Sequence, residues 1–548
     1  MYFYTALHIA KTSDCLKSHW NFVSSNMSFI TGFDRKQTAL FPQAIDELIA
    51  PNNPIRFIDT FVDQLKIVEF GFKDVSKNVN GRPPFNPSAL LKLYIYGYMN
   101  KIRSSRGLEK ECKRNIELMW LLKGLVPDHN TISNFRKDNP KAIKKVFRAT
   151  VQIAQNLNLI GGVLLAGDGT KLRAQNSKKN NYNERKIVKH LAYIENKLNE
   201  YNNALSTADG DTKEAIEKKI IKHQKHKARY QAIDKKLIET GEKQISTSDP
   251  DSRQIMVRGV INEVAYNVQS TVDAKHKLPI DYEVTNQNDK NAMCNMVKSA
   301  IAILGTNTFD AVFDKGYHNA EEIHKCHLLG VETHVAIPKP ASNAPDTDFN
   351  LSNFIHNPLN DTYTCPAKQT LTTNGNWYLK RVYRVKQYKT KHCKICTLRA
   401  QCTKSKSGRI IERHEFAGAL ERNKKAIKER PEIYKQRQAL VEHPFGTMKR
   451  QWGFDHIMTK KSMKHASADV GFIFLAYNLK RILNIIGIEE LLPLLRHFID
   501  DISSIFTLKT YKNPNKWSLT YLSIFISSLQ FPAFKPYIHK QINYQGGF

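Results

Sequence analysis

Three carboxylates stand out in the 548-residue chain because of where they fall. Asp168 follows directly on the apolar run GGVLLAG (161–167), and Asp314 follows on TFDAVF (308–313), so each acid is expected at the end of a buried strand. An ionised carboxylate in such a place costs several kcal/mol unless a cation or hydrogen bonds offset it. Two of them on neighbouring strands would suit a divalent cation. Hard cations such as Mg²⁺ take carboxylate oxygens while keeping waters or substrate phosphates, and two such ions stabilise the attacking and leaving oxygens of phosphoryl transfer. Either aspartate alone is ambiguous, since Asp168-Gly169 also reads as a turn. The third acid is Glu442, in YKQRQALVEHPFGTMKRQWGF (434–454), where Tyr434, Arg437, Glu442 and Lys449 recur at spacings that bring them towards one side of helical segments. Pro444 cannot continue a helix undisturbed, which puts Glu442 at a kink or just before a new helix. Arg437, Lys449 and Arg450 would then supply phosphate-binding charge beside the acids, with Trp452 available for base stacking. Taken alone, this segment also reads as a basic helix with no catalytic role.

A second cluster is made of thiols. Cys393 and Cys396 have the two-residue gap of a zinc knuckle, Cys402 follows, and Cys365 lies upstream in a Cys-Pro turn, whereas Cys15, Cys112, Cys294 and Cys326 are scattered. Four thiolates suit a tetrahedral, structural Zn²⁺ with no open position for water; the alternative is reduced cysteines in a loop. Between Lys380 and Arg409 eleven Lys or Arg residues occur with no Asp or Glu, which favours phosphate contact over base readout. The whole chain is basic, with 83 Lys and Arg against 51 acids, a formal charge of +32 and a pI near 9.6. Nucleic acid is the leading partner for such an excess, against a merely solvated basic surface. No secretory signal is recognisable at the N-terminus, so a cytoplasmic protein is expected. Val470–Ile486 is interrupted by Asn478, Lys480 and Arg481, and so reads as a buried amphipathic helix, with no membrane partner.

Several structural units are expected at this length. Residues 1–40 form an ill-defined extension, with Met27 opening a stretch that reads like a natural start. Residues 41–158 read as an all-helical DNA-binding domain, with helices near Asn53–Leu65, Pro87–Lys101, Leu108–Leu122 and Thr131–Asn156. In GRPPFNP (81–87), Asn86 is a cap and Pro87 opens a helix. In PDHNTISNFRK (127–137), Asp128 or Asn130 caps a helix that turns Ile132 and Phe135 inward. Asn134, Arg136 and Lys137 then face outward, either to read DNA from a helix-turn-helix-like unit or as a solvated basic face. Within 159–487 the expected strands are Val163–Ala166, Val264–Val272, Leu278–Val284, Phe309–Phe313 and His334–Ile337, with a helix near Asn291–Leu304. An insertion at about 180–243 carries a coiled-coil seam (Ile187, Leu191, Ile194, Leu198, Tyr201, Leu205) and, after Ser206–Asp211, a second helix capped by Asp211 and Glu214 and ended by Gly241. This helical hairpin could contact DNA or a second subunit, or simply pack. The cysteine module occupies about 360–410. His443 and His318 read as packing or phosphate-contacting residues, Asp273 and Asp289 as turn and cap residues. The tail 488–548, with its apolar run Tyr521–Phe531, has no assignable role.

The runs GDGTKLRAQNS (167–177), FDKGYHN (313–319) and the Tyr-x2-Arg…Glu-x6-Lys pattern of 434–449 resemble the bacterial insertion-sequence transposases of the DDE type, over roughly Phe41–Gly487. The resemblance implies an α/β RNase H-like core, a mixed sheet flanked by helices, interrupted by the helical hairpin and by a zinc-ribbon-like module. It implies Asp168, Asp314 and Glu442 as ligands of Mg²⁺ or Mn²⁺, with Tyr434, Arg437 and Lys449 positioning DNA. Lys171, Arg173, Arg450 and Trp452 join Asn134, Arg136 and Lys137 as expected DNA contacts. Implied too are cleavage at terminal inverted repeats, strand transfer into target DNA, and a homodimer on DNA. One departure is that four residues, where the common signature has three, separate Arg437 from Glu442. The competing functions are a catalytically idle or repurposed DNA-binding derivative and a structure-specific nuclease with the same core.

Overall fold

Polar caps and prolines cut the N-terminal third into short helices. Asn53 and Asn86 each accept a backbone N–H two residues on, and a proline fills the first position of α1 (Pro54–Asp63) and, after α2 (Ile67–Phe70), of α3 (Pro87–Met99). Asn115 caps a separate helix, so the expected Leu108–Leu122 segment is two, α4 (Ser105–Cys112) and α5 (Ile116–Leu121). Asp128 caps α6 (His129–Asp138) by accepting from Asn130 and Thr131 N–H. The continuous helix expected from Thr131 is broken at Asn139, because Pro140 has no N–H to give and opens α7 (Pro140–Asn156) instead.

These elements come from a computed structural model that describes residues 43–73, 83–257, 261–338, 344–380 and 383–497. The N-terminal extension 1–40 and the tail beyond 497, Tyr521–Phe531 included, lie outside the described residues. The chain divides into a unit of residues 1–48, whose described part is a turn, and a unit of residues 49–548 that holds everything below.

A six-stranded mixed sheet forms the centre of the second unit. It is built from β1 (Leu164–Arg173) and, after a short hairpin-closing pair β2 (Asn181–Tyr182) and β3 (Ile245–Ser246), from β4 (Arg253–Val257), β5 (Ile261–Asp273), β6 (Pro279–Thr285), β7 (Asp310–Phe313) and β8 (Glu332–Val335). β1 is antiparallel to β5 and parallel to β7, and β7 is parallel to β8. β4 and β6 share the other edge of β5 end to end. On two of the three edge strands a side-chain amide occupies the backbone of one residue: Gln244 bonds both the N–H and the carbonyl of Gln254 on β4, and Asn423 does the same for Val335 on β8. An edge so covered is a poor template for another strand.

Between β2 and β3 the chain runs out as α8 (Glu184–Leu205) and α9 (Gly210–Thr240), the antiparallel hairpin expected there. Buried Ile187, Leu237, Tyr182 and Ile245 give it a small core of its own, joined by partly buried Leu191 and Tyr230. Gly241 ends α9 at φ +64°, but α9 starts after Asp209, so the expected Asp211–Glu214 capping pair does not form and Asp211 sits in the first turn. α10 (Met293–Leu304) packs on β5 and β6, and α11 (Ala320–Leu328) against β8.

The cysteine module follows with two three-stranded sheets, β9 (Ile355–Asn357), β10 (Thr362–Thr364) and β11 (Thr370–Leu371), then β12 (Tyr378–Lys380), β13 (Tyr383–Tyr388) and β14 (Ile411–His414), with the short α12 (Arg399–Cys402) between β13 and β14. The chain returns to the main sheet through α13 (Ala417–Glu429), α14 (Pro431–Gly446), α15 (Met463–Ile486) and α16 (Ile488–His497).

One hydrophobic core runs from the N-terminal helices through the sheet to α15, without a break near residue 158. Tyr94 of α3 stacks on Phe472 of α15 at 4.7 Å, and Phe147 of α7 lies edge-on to Tyr282 of β6 and Phe474 of α15. α15 is the buried helix expected around Val470–Ile486, and among the described residues no single helix is long and apolar enough to cross a membrane. Inside this core sits fully buried Asp469. It takes Arg103 at 2.6 Å, Arg136 at 3.3 Å, the Met458 N–H at 2.8 Å and the Tyr98 hydroxyl. Arg136 is therefore not on the outward face of α6: it is buried, because a buried carboxylate on α15 needs its charge. Asn134 is exposed and Lys137 half-buried, with the Lys137 ammonium on Asn134 Oδ1 at 3.0 Å.

Candidate active site

Strand register brings the two aspartates together. β1 and β7 pair in parallel from Leu164↔Asp310 to Gly167↔Phe313, so Asp168 and Asp314 come next, side by side. Asp314 does follow the end of its strand, but Asp168 lies mid-strand, because β1 runs on to Arg173 paired with β5. Side chains alternate along a strand, and Ala166 and Val312, two residues earlier, pack with Val272 against Leu440 and Val441 of α14. Asp168 thus faces α14 as well. There the Arg437 guanidinium lies 3.3 Å from its Oδ2, while Oδ1 accepts the Gly169 N–H at 2.7 Å. Burial, together with the negative charges of Asp314 and Asp289, lifts the Asp168 carboxyl above its ordinary range against the pull of Arg437 and the Gly169 N–H. Asp314 caps the short 3₁₀ turn Lys315–Tyr317, its Oδ1 accepting from Gly316 N–H at 2.7 Å.

Glu442 is carried on α14 five residues after Arg437, next to the Val441 that packs on the sheet. Its carboxylate is exposed and accepts from Gln438 Nε2 at 2.9 Å. Among the described residues no three His, Cys, Asp or Glu side chains converge closely enough to hold a metal ion. The structure therefore brings Asp168 and Asp314 together with Arg437 and sets Glu442 on the helix that covers them. No new helix starts after Glu442: α14 runs through Pro444, and the wide π turn Thr447–Gln451 follows it, closed by the Trp452 N–H on the Thr447 carbonyl.

The basic residues around these acids are less free than their spacing suggests. Lys449 donates to Thr170 Oγ1 and to the Lys171 carbonyl, both at 3.1 Å, and so ties α14's extension to β1 just beyond Asp168. Lys171 pairs with Asp289 at 3.0 Å, and Arg173 with Asp455 at 2.5 Å. Tyr434 is partly buried against the apolar patch under α14. Trp452 does not offer a stacking face: it is buried against Phe454 and Tyr477 with the Lys480 ammonium over its ring, since the π turn rolls it into the core. Arg450 is exposed. His443 bonds the Tyr477 hydroxyl at 2.8 Å, a packing role. Asp273 closes a turn by accepting from Gly161, Gly162 and Lys275 N–H. Asp289, expected as a surface cap, is instead the acceptor of a partly buried network with Lys171, Asn267 and Gln269. The one trace of it in the sequence is Gly169, where a side chain would collide with its carboxylate.

Cys365, Cys393, Cys396 and Cys402 line one small cavity of about 30 Å³ together with Phe354, Leu371 and Arg409. Burial and the three neighbouring thiols push the Cys402 thiol up, against Arg409. Gly408, at φ +92°, lets the chain pass close to Cys393, whose Cβ lies 2.6 Å from where a side chain at 408 would begin.

With this geometry in hand, comparison with known proteins matches residues 43–138 to the family described as Transposase domain (DUF772), and residues 364–483 to the family described as Transposase DDE domain. The two matches together support an insertion-sequence transposase of the DDE type. The second match takes in Tyr434, Arg437, Glu442, Lys449 and the four clustered cysteines of this transposase, and the first takes in its helices α1 to α6. Among solved structures, a cryo-EM structure of piggyBac transposase in a synaptic complex with hairpin DNA is similar at 9% identity and a TM-score of 0.29, covering 88% of this chain and 86% of that one. No curated protein matches.

Proposed function

We propose that this transposase cuts DNA at the ends of its element and transfers the freed strands into target DNA, using Asp168, Asp314 and Glu442 on an RNase H-like core. The reading rests on one observation above the others: Asp168 on β1 and Asp314 just past β7 are the next positions beyond the parallel pairing of those strands, which pack under α14, the helix that carries Glu442. Their oxygens are the hard donors that Mg²⁺ or Mn²⁺ takes, and the repulsion already felt by Asp168 from Asp314 is what a cation between them would relieve. Bound divalent metal would supply an activated water and charge neutralisation at the scissile phosphate. The protein's own part is to hold the acids. Lys449 pins β1 beside Asp168, and Leu440 and Val441 seat α14 on the sheet. Glu442, exposed and bonded to Gln438, would have to leave that partner to join the pair. Arg437 counters the charge of Asp168 and is close enough to meet a phosphate that enters the site.

The net charge of +32 and the basic cysteine module suit a DNA partner, with terminal inverted repeats and target DNA as the two substrates and a homodimer as the acting form in the cytoplasm. Four thiols line one cavity, and though they do not converge on an ion as they stand, a structural Zn²⁺ in a zinc-ribbon-like module would draw Cys365, Cys393, Cys396 and Cys402 together as its ligands. The test is cleavage of a linear DNA carrying the element's ends, in Mg²⁺ and with chelator. Cleavage should require the metal, and Asp168→Ala, Asp314→Ala and Glu442→Ala should each abolish it while retaining DNA binding. Full cleavage by any one of these variants would remove that residue from the site.

A further inference from the structure

The segment of β1 that carries Asp168 is backed, on the side away from α14, by a polar network. Gly169 lies in register with Gln269, and Lys171 with Asn267. Above them Asp289 Oδ1 accepts from Asn267 Nδ2 and Gln269 Nε2, both at 2.7 Å, and the carboxylate pairs with the Lys171 ammonium at 3.0 Å. A Cβ at residue 169 would stand 2.5 Å from Asp289 Oδ1, so only glycine lets the two approach. The network then crosses to the other strand. Gln269 Oε1 accepts from the Tyr317 hydroxyl, and fully buried Tyr317 ends the 3₁₀ turn that Asp314 caps. At Gly316 the same acids crowd in, with a built Cβ 3.0 Å from Asp314 Oδ1 and 3.7 Å from Asp289 Oδ2. Burial alone would lift the Asp289 carboxyl, but Lys171 and the two amides outweigh it and hold it below the ordinary aspartate range, as a fixed anion.

We propose that Asp289 is a positioning residue for the acidic centre, locking β1 at Gly169 and the Asp314 turn through Gln269 and Tyr317 from behind the sheet. The inference rests on the reading of Asp168 and Asp314 as metal-holding residues. Groups that orient metal ligands without touching the metal cost roughly 10–100-fold in metal affinity when removed. Lys171 belongs to this network, which accounts for a basic residue beside the acids that points to a carboxylate and not to a phosphate.

The test is Mn²⁺ binding to the full-length protein, followed by the loss of the free-ion electron paramagnetic resonance signal, with DNA affinity and melting temperature measured on the same samples. Asp168→Asn should remove the site. Asp289→Asn should raise the half-saturating Mn²⁺ concentration roughly 10–100-fold, and Tyr317→Phe, which removes only a hydroxyl and keeps the ring packing, should shift it in the same direction. Both should leave DNA affinity unchanged. If Asp168→Asn loses the ion while Tyr317→Phe and Asp289→Asn bind it as the unaltered protein does, the positioning role is overturned and the metal centre stands. If Asp168→Asn still binds Mn²⁺ like the unaltered protein, the metal centre is overturned and this inference with it.

Discussion

Gly167 and Gly169 flank Asp168 for two different reasons, both steric. A Cβ at 167 would fall 2.0 Å from Phe313 Cε1, and one at 169 would fall on Asp289. The Gly-Asp-Gly run is therefore the mark of a strand squeezed between a ring and a carboxylate, although it reads equally well as a turn. Gly167→Ala must displace Phe313 from the core, and an overpacked core of this kind costs about 1–3 kcal/mol; a urea titration should show the loss with the m-value unchanged. At this scale the side-by-side placement of Asp168 and Asp314 was legible, because acids after apolar runs are rare and costly. The partners of the basic residues were not. Whether Arg136 meets a phosphate or Asp469, and whether Lys171 meets a phosphate or Asp289, depends on carboxylates 333 and 118 residues away, and spacing carries no information about them.

Among the elements, the helices and strands followed from apolar periodicity, and the misplacements have local causes. Asn115 and Asn139-Pro140 split two expected helices into four, and β4 escapes a reading by pattern because RQIMV is too short and polar to stand as a strand until Gln244 and β5 hold it. The element with the largest consequence for stability is α15. Its Asp469 holds Arg103 and Arg136, which come from the N-terminal helical region. Asp469→Ala would leave two guanidinium groups buried without their anion and should destabilise the protein by about 3–5 kcal/mol. Burial acts to raise the Asp469 carboxyl, yet Arg103, Arg136 and the Tyr98 hydroxyl hold it below the ordinary value of 3.8. Its contribution is therefore present in full above about pH 4 and is lost as the pH falls through the depressed native value. Acid titration of the unfolding free energy should show this loss in the unaltered protein and a shallower one in Asp469→Ala.

For the molecule as a whole, the core that joins the N-terminal helices, the sheet and α15 makes one body of parts that hydropathy presents as separate, while the hairpin and the cysteine module carry small cores of their own. Charge is distributed accordingly, with exposed Lys391 and Lys394 on the cysteine module and no acid between Lys380 and Arg409. If this module meets the DNA backbone, the logarithm of affinity should fall with the logarithm of salt concentration, and Lys391→Gln with Lys394→Gln should make that slope shallower by about 0.9 for each phosphate no longer neutralised. An unchanged slope would place the DNA elsewhere. The central claim is that acids separated in sequence by the hairpin and the cysteine module act on one metal centre. It is tested most directly by anomalous diffraction from crystals of the transposase grown with Mn²⁺. A peak is expected beside β1 and β7 with Asp168, Asp314 and Glu442 oxygens each within roughly 2.2 Å of the ion. A Mn²⁺ peak bound elsewhere, or one with Glu442 still turned to Gln438, would contradict it.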